Sequence, residues 1–136
     1  MPTLPPQHVI SRWFNLVETR DASALEALLA DDVVFLSPIV HTPQKGKQIT
    51  TMYLAAAVQV FGNDTFKYVR TIIGPHDAML EFTTTIDGIE VNGVDIIQWN
   101  DADQITEFKV MVRPLKAIEL IHAQMKAMLQ GAAGTQ

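Results

Sequence analysis

A single carboxylate, Asp95, stands among apolar residues in the stretch Glu90–Pro114, EVNGVDIIQWNDADQITEFKVMVRP. The stretch reads as two long strands joined by a polar turn at Asn100–Asp103. Side chains alternate across a strand, so Val91, Gly93, Asp95, Ile97 and Trp99 share one face. In the return strand Phe108, Val110 and Val112 form the matching apolar set. A carboxyl among Ile97, Trp99 and Phe108 loses solvation, which raises its pKa above the free value of about 3.9. Such a group either stays protonated and donates to a ligand oxygen or works as a general acid/base. The plainer alternative is an aspartate bonded to a tyrosine or tryptophan in a purely structural role.

Other residues have the chemistry to assist Asp95. Tyr53 faces inward on a helix and offers a phenol to Asp95 or to a ligand. His41 lies on a proline-flanked loop, as a replacement base or as a solvated loop histidine. Ser37 either anchors a ligand or caps the following turn. Trp13 and Trp99 read as pocket wall, with Phe35, Leu80, Phe82, Ile97, Phe108, Val110 and Val112 completing an apolar lining. Lys109 and Arg113 take the outward parity of their strand. The four histidines, His8, His41, His76 and His122, lack the i, i+2 or i+4 spacing of metal ligands, so no metal is expected. No glycine-rich phosphate loop is present, and no cofactor is expected.

The elements that must position these groups follow from pattern. Ile10, Trp13, Phe14 and Val17 mark a helix face, entered through Thr3–Pro6. Asp21 caps a short second helix carrying Leu25, Leu28 and Leu29, which Asp31-Asp32 ends. Val33–Leu36 is a short strand, and Ile39–Lys45, with two prolines nearby, is an ordered loop. A third helix follows Gly46, with Ile49, Met52, Tyr53, Ala56 and Val60 on its apolar face and Gly62 at its end. The period then changes to two. Thr65–Ile73 and Ala78–Ile86 are strands, and Asp87-Gly88 is a two-residue hairpin signal. Ile105–Arg113 is the last strand. Leu115–Leu129 is an amphipathic helix presenting Ile118, Ile121, His122, Met125, Met128 and Leu129, and residues 131–136 are expected to fray. Helices gathered on one face of a run of antiparallel strands make an α+β fold. The opposite sheet face, with Val94, Ile96 and Met111 among polar residues, is expected to meet a second copy of the chain.

Bulk composition narrows the classes. The 136 residues suit one domain, 48% hydrophobic and 18% charged. A net charge of −5 without a Lys/Arg run argues against nucleic acid. No cysteine is present, so thiol chemistry is excluded. No signal-peptide pattern or membrane-length apolar run is seen, and a soluble cytoplasmic protein is the default expectation.

The strings RWFNLVETRD, LLADDVVFLSP, PQKGKQI and VDIIQWNDADQITEF, in that order and spacing over about Pro6–Arg113, resemble the nuclear-transport-factor-2-like superfamily. The resemblance is nearer to its SnoaL-like and ketosteroid-isomerase-like members, of cystatin-like α+β architecture. It implies a cone, a curved antiparallel sheet wrapped around helices with an apolar pocket, to which the helix from Leu115 is an addition that covers the mouth or packs on a neighbouring subunit. The superfamily's ketosteroid isomerases use a carboxylate base, a tyrosine and a protonated aspartic acid. The resemblance lays these on Ser37, Trp13 and Asp95, so one of the three is kept. Serine is no base at neutral pH, and an indole N–H lacks the acidity of a phenol. The epoxide-hydrolase branch would need an arginine and two aspartates where Phe82, Thr84 and Arg113 stand.

Two function classes remain. One is an isomerase, cyclase or lyase acting without metal on a small apolar carbonyl compound, with Asp95 as acid/base and Tyr53 or His41 assisting. The other is a non-catalytic module that uses the same pocket for binding or assembly. A partner-recognition dimer like nuclear transport factor 2 itself would need an exposed aromatic groove that the sequence does not display.

Overall fold

Helix α1 (Val9–Thr19) opens the fold, and the imidazole of His8 caps it by accepting from the Ile10 N–H at 3.0 Å. The computed structural model describes residues 4–133. The helix therefore begins later than the proline-rich entry suggests, and the expected start at Thr3 lies outside the described residues. Val9, Ile10, Trp13 and Leu16 form its buried face. Arg20 ends it in a left-handed conformation, φ 57°, with its N–H on the Leu16 carbonyl.

A 3₁₀ turn at Ala22–Ala24, capped by Asp21, leads into the single-turn helix α2 (Leu25–Leu28). Leu29 does not extend that helix. It starts strand β1 (Leu29–Leu36), because its backbone pairs with Ile105. Asp31 and Asp32 fall in a register irregularity of this strand instead of ending a helix. Gln44–Lys45, expected as loop, is the short strand β2 paired with Val34 and Phe35. Helix α3 (Lys47–Phe61) buries Thr50, Leu54, Ala56, Val58 and Val60, while Met52 is 45% exposed. Ala56 and Val60 are buried as expected, Ile49 and Tyr53 are half-buried, and Leu54 and Val58 take the place of Met52. The helix is apolar almost all round, so periodicity alone leaves its orientation open.

Strands β3 (Lys67–Ile73), β4 (Asp77–Ile86), β5 (Ile89–Trp99) and β6 (Ile105–Arg113) complete a curved, unclosed six-stranded sheet in the order β2-β1-β6-β5-β4-β3. It is mixed, because β1 runs parallel to β6 while the other pairs are antiparallel. Asp87 and Gly88 both have positive φ, 50° and 78°, as a tight hairpin between β4 and β5 demands. The expected parity holds through β4, β5 and β6. Leu80, Phe82, Thr84, Asp95, Ile97, Trp99, Phe108 and Val110 all face the buried side.

Helix α4 (Leu115–Ala133) continues four residues beyond its expected end at Leu129, so residues 131–133 are helical and 134–136 lie outside the described residues. Ala117 and Ile121 bury against Val60, Phe82, Ile86 and Val91, a second apolar cluster beside the main core. No helix of the described residues is long and apolar enough to cross a membrane.

Candidate functional site

Asp95 points to the inner side of β5, opposite Leu80 of β4 and Val110 of β6. It is 5% exposed. The Tyr68 hydroxyl donates to its Oδ2 at 2.7 Å, and the Trp13 Nε1–H donates to the Tyr68 oxygen at 2.8 Å. These three side chains from β5, β3 and α1 make a chain of hydrogen bonds through an otherwise apolar interior. Burial pushes the Asp95 carboxyl up to about 7, against a smaller downward pull from the Tyr68 hydrogen bond. Burial also raises the Tyr68 phenol well above its ordinary value, and the neighbouring Asp95 charge raises it further. Tyr68 is therefore a fixed neutral donor, while Asp95 exchanges its proton near neutral pH.

Among the described residues no other group hydrogen-bonds the Asp95 carboxyl. Asp95 lines a small apolar chamber of about 50 Å³ together with residues including Trp13, Leu54, Phe66, Phe82 and Phe108. That is room for one or two waters, each of which occupies about 30 Å³ in the liquid.

A larger apolar cavity of about 330 Å³ lies on the far side of Ala57, Phe61 and Val110, which line both spaces. Phe35, Ser37 and Tyr53 line it from the α3 and β1 side, and Ile121, His122, Met125 and Lys126 from α4. Its volume falls in the range of small-molecule sites, roughly 300–1,000 Å³. The additional C-terminal helix therefore forms one wall of the cavity. Tyr53 stacks on Phe35 with centroids 5.4 Å apart, and its hydroxyl makes no hydrogen bond among the described residues. The Ser37 Oγ accepts from the N–H groups of Ile39 and Val40, at 2.9 and 3.4 Å, as a turn cap. Its own hydrogen remains free to donate.

The residues singled out from the sequence thus divide. Trp13, Phe82, Phe108 and Val110 surround Asp95, while Phe35, Ser37, Tyr53 and again Val110 line the larger cavity. Leu80, Ile97 and Trp99 are core packing that lines neither space, with Trp99 held edge-on against the His8 ring at 5.4 Å. Val112 lies at the edge of a depression on the outer sheet surface. His41 is exposed and lines neither space. Tyr53 does not reach Asp95; the phenol that does is Tyr68, which sequence reasoning missed. Strict alternation groups Tyr68 with Arg70 and Ile72, which face outward. A bulge between Tyr68 and Arg70 resets the parity, so Tyr68, Thr71 and Ile73 all pair with inward residues of β4. His122 and Lys126, read only as helix residues, were missed as cavity lining. The described residues contain no group of three potential metal ligands close enough to hold an ion.

A curved sheet around helices, with a buried carboxyl on its inner face, defines a cone-type α+β domain. The SnoaL-like domain model matches residues 10–108, and the chain belongs to that family, within the nuclear-transport-factor-2-like and ketosteroid-isomerase-like superfamily. It is similar to a steroid delta-isomerase structure from Pseudomonas aeruginosa, with 32% identity, 93% of each chain covered and a TM-score of 0.88. A protein with a cystatin-like fold from Silicibacter pomeroyi is 29% identical over 94% of this chain and 86% of its own, with a TM-score of 0.79. A nuclear-transport-factor-2-like protein from Mesorhizobium loti shares the fold at 20% identity, covering 78% of this chain and 88% of its own, with a TM-score of 0.68. Among curated proteins none matches.

Proposed function

We propose that this protein binds a small apolar carbonyl compound in the 330 Å³ cavity and carries out isomerase-type acid-base chemistry on it through Asp95. The carrying observation is a buried carboxyl that lines an apolar chamber, accepts only the Tyr68 hydrogen bond among the described residues and has its pKa pushed to about 7. In its ionised form that carboxyl takes the α-proton of the carbonyl compound and, now protonated, returns it at the new position, while the carbonyl oxygen of the enolate accepts from the Tyr53 hydroxyl. Phe61 must turn aside for a ligand to reach it, since Ala57, Phe61 and Val110 stand between the two spaces. Tyr53 orients the ligand from the larger cavity. The similarity to a steroid delta-isomerase supports the reaction class.

The alternative reading is a non-catalytic binding module. It is favoured by Ser37, whose oxygen accepts from two backbone N–H groups where the resemblance calls for a base. One experiment separates the readings. Wild type and Asp95→Asn are incubated in deuterated water with cyclic ketones, cyclic enones and a β,γ-unsaturated steroid ketone. Thermal shift reports binding, and deuterium uptake beside the carbonyl reports chemistry. The enzyme reading expects uptake in the wild type and at least a tenfold loss in the variant. Binding without uptake by either protein leaves the binding module.

We also propose a homodimer through the outer sheet face, where Ile72 of β3, Met79 of β4 and Met111 of β6 are about half exposed. Its test is the particle mass in solution, with a double change of Met79 and Met111 to Glu expected to yield the monomer. A wild type already of single-chain mass refutes it.

A further inference from the structure

The rim of the larger cavity carries information about its occupant that its apolar floor does not. Five lining side chains can donate a hydrogen bond: Ser37, Tyr53, His122, Lys126 and Gln130. No carboxylate is among the lining residues, although acidic residues outnumber basic ones 15 to 10 in the whole chain. Lys126 alone in the lining carries a formal charge at neutral pH, and among the described residues it enters no ion pair. His122 stands one helical turn before it on α4, so the imidazole and the ammonium share one side of the helix. Beneath them, Phe35, Phe61, Val110, Ile121 and Met125 offer only carbon and sulfur surface.

An apolar pit under a cationic, donor-rich rim fits an amphiphile with an anionic head. We propose that the natural ligand is a carboxylate-bearing apolar molecule. Its hydrocarbon body fills the cavity and its carboxylate pairs with Lys126, with His122 as a second donor. This rests on the small-molecule reading of the cavity and specifies the chemical class. A second oxygen function at the buried end of such a ligand would lie toward Phe61 and the Asp95 chamber. The head-group requirement thus selects keto or enoyl acids over neutral ketones. A cation is disfavoured because the same rim repels it, and a neutral alcohol gains only the apolar contact.

The test compares decanoate, decanol and decyltrimethylammonium, which share a chain length and differ in head-group charge. Binding to the full chain is read by thermal shift and calorimetry below the micellar concentration of each. Decanoate should bind about three- to tenfold more tightly than decanol, as a partly exposed charge pair allows, and the cation most weakly. Raising the salt concentration should weaken decanoate and spare decanol. Lys126→Gln removes the charge from a side chain one atom shorter and should remove the carboxylate advantage, while Lys126→Arg should retain it. Lys126 is exposed, so neither change threatens folding. Equal affinity for decanoate and decanol, or a Lys126→Gln variant that weakens both alike, overturns the carboxylate proposal and leaves the cavity reading intact. Failure of all three probes to bind overturns the cavity reading with it.

Discussion

Tyr68 and Asp95 are joined by a 2.7 Å hydrogen bond although their strands are not neighbours. Strand β4 runs between them, and the phenol reaches past it to the carboxyl. Tyr68 pairs with Phe82, and Phe82 pairs with Gly93, two residues before Asp95. The ring of Phe82 leans into the space that a side chain at 93 would occupy. The site is therefore built across three strands.

Asp95→Asn should change the pH dependence of stability. The native carboxyl holds its proton up to about pH 7, whereas the unfolded one releases it near 3.8. Between these values the native state binds more protons, so stability falls as pH rises and levels off above about 7. Three pKa units correspond to about 4 kcal/mol, an upper figure for a buried group that can relax. Asparagine mimics the protonated form and still accepts from Tyr68. The variant should match the wild type near pH 4 and exceed it above pH 7, by urea unfolding at each pH. Parallel profiles would show that Asp95 is not held neutral.

Tyr68→Phe should move the Asp95 titration upward. The phenol's hydrogen bond is the one influence pulling that pKa down. Its loss also strips the Trp13 N–H of its acceptor. We expect about 1–3 kcal/mol of destabilisation from the buried groups left unpaired. Carbon-13 titration of the Asp95 carboxyl reads the shift, and an unmoved midpoint would contradict the described hydrogen bond.

Phe61→Ala should open the partition between the chamber and the larger cavity. Phe61 is half-buried and packs edge-on against Phe82 with centroids 5.5 Å apart. The loss should cost about 2–4 kcal/mol, somewhat below the range for a fully buried phenylalanine. Bulkier apolar ligands should stabilise the variant more than they stabilise the wild type. A variant whose preference among ligand sizes is unchanged would show that Phe61 does not divide the space.

Gly93→Ala should destabilise the fold by about 2–3 kcal/mol through overpacking. A methyl group there would sit 2.8 Å from the Met111 carbonyl oxygen and against the Phe82 ring. The Phe82 ring must move and the β5–β6 backbone must part slightly as well, and Phe82 lines the Asp95 chamber. Thermal unfolding should fall, and the carbon-13 titration of Asp95 should change with it. An unaltered melting temperature would place Phe82 elsewhere.

The amino-acid sequence by itself determined the α+β class, the inward set of β4, β5 and β6, and the burial of Asp95. These rest on local rules: strand alternation, a two-residue hairpin and helical periodicity. Tertiary structure decided the rest, because it depends on contacts between distant segments. The bulge after Tyr68 turns that phenol inward, and no local pattern announces it. The nearly all-apolar α3 takes its orientation from packing, which placed Tyr53 beside Phe35 instead of beside Asp95. Leu29 became strand because β6 offered a partner. The position of α4 turned His122 and Lys126 from ordinary helix residues into the rim of a cavity. Burial of a carboxyl is a property of its strand; which groups surround it depends on how the chain closes.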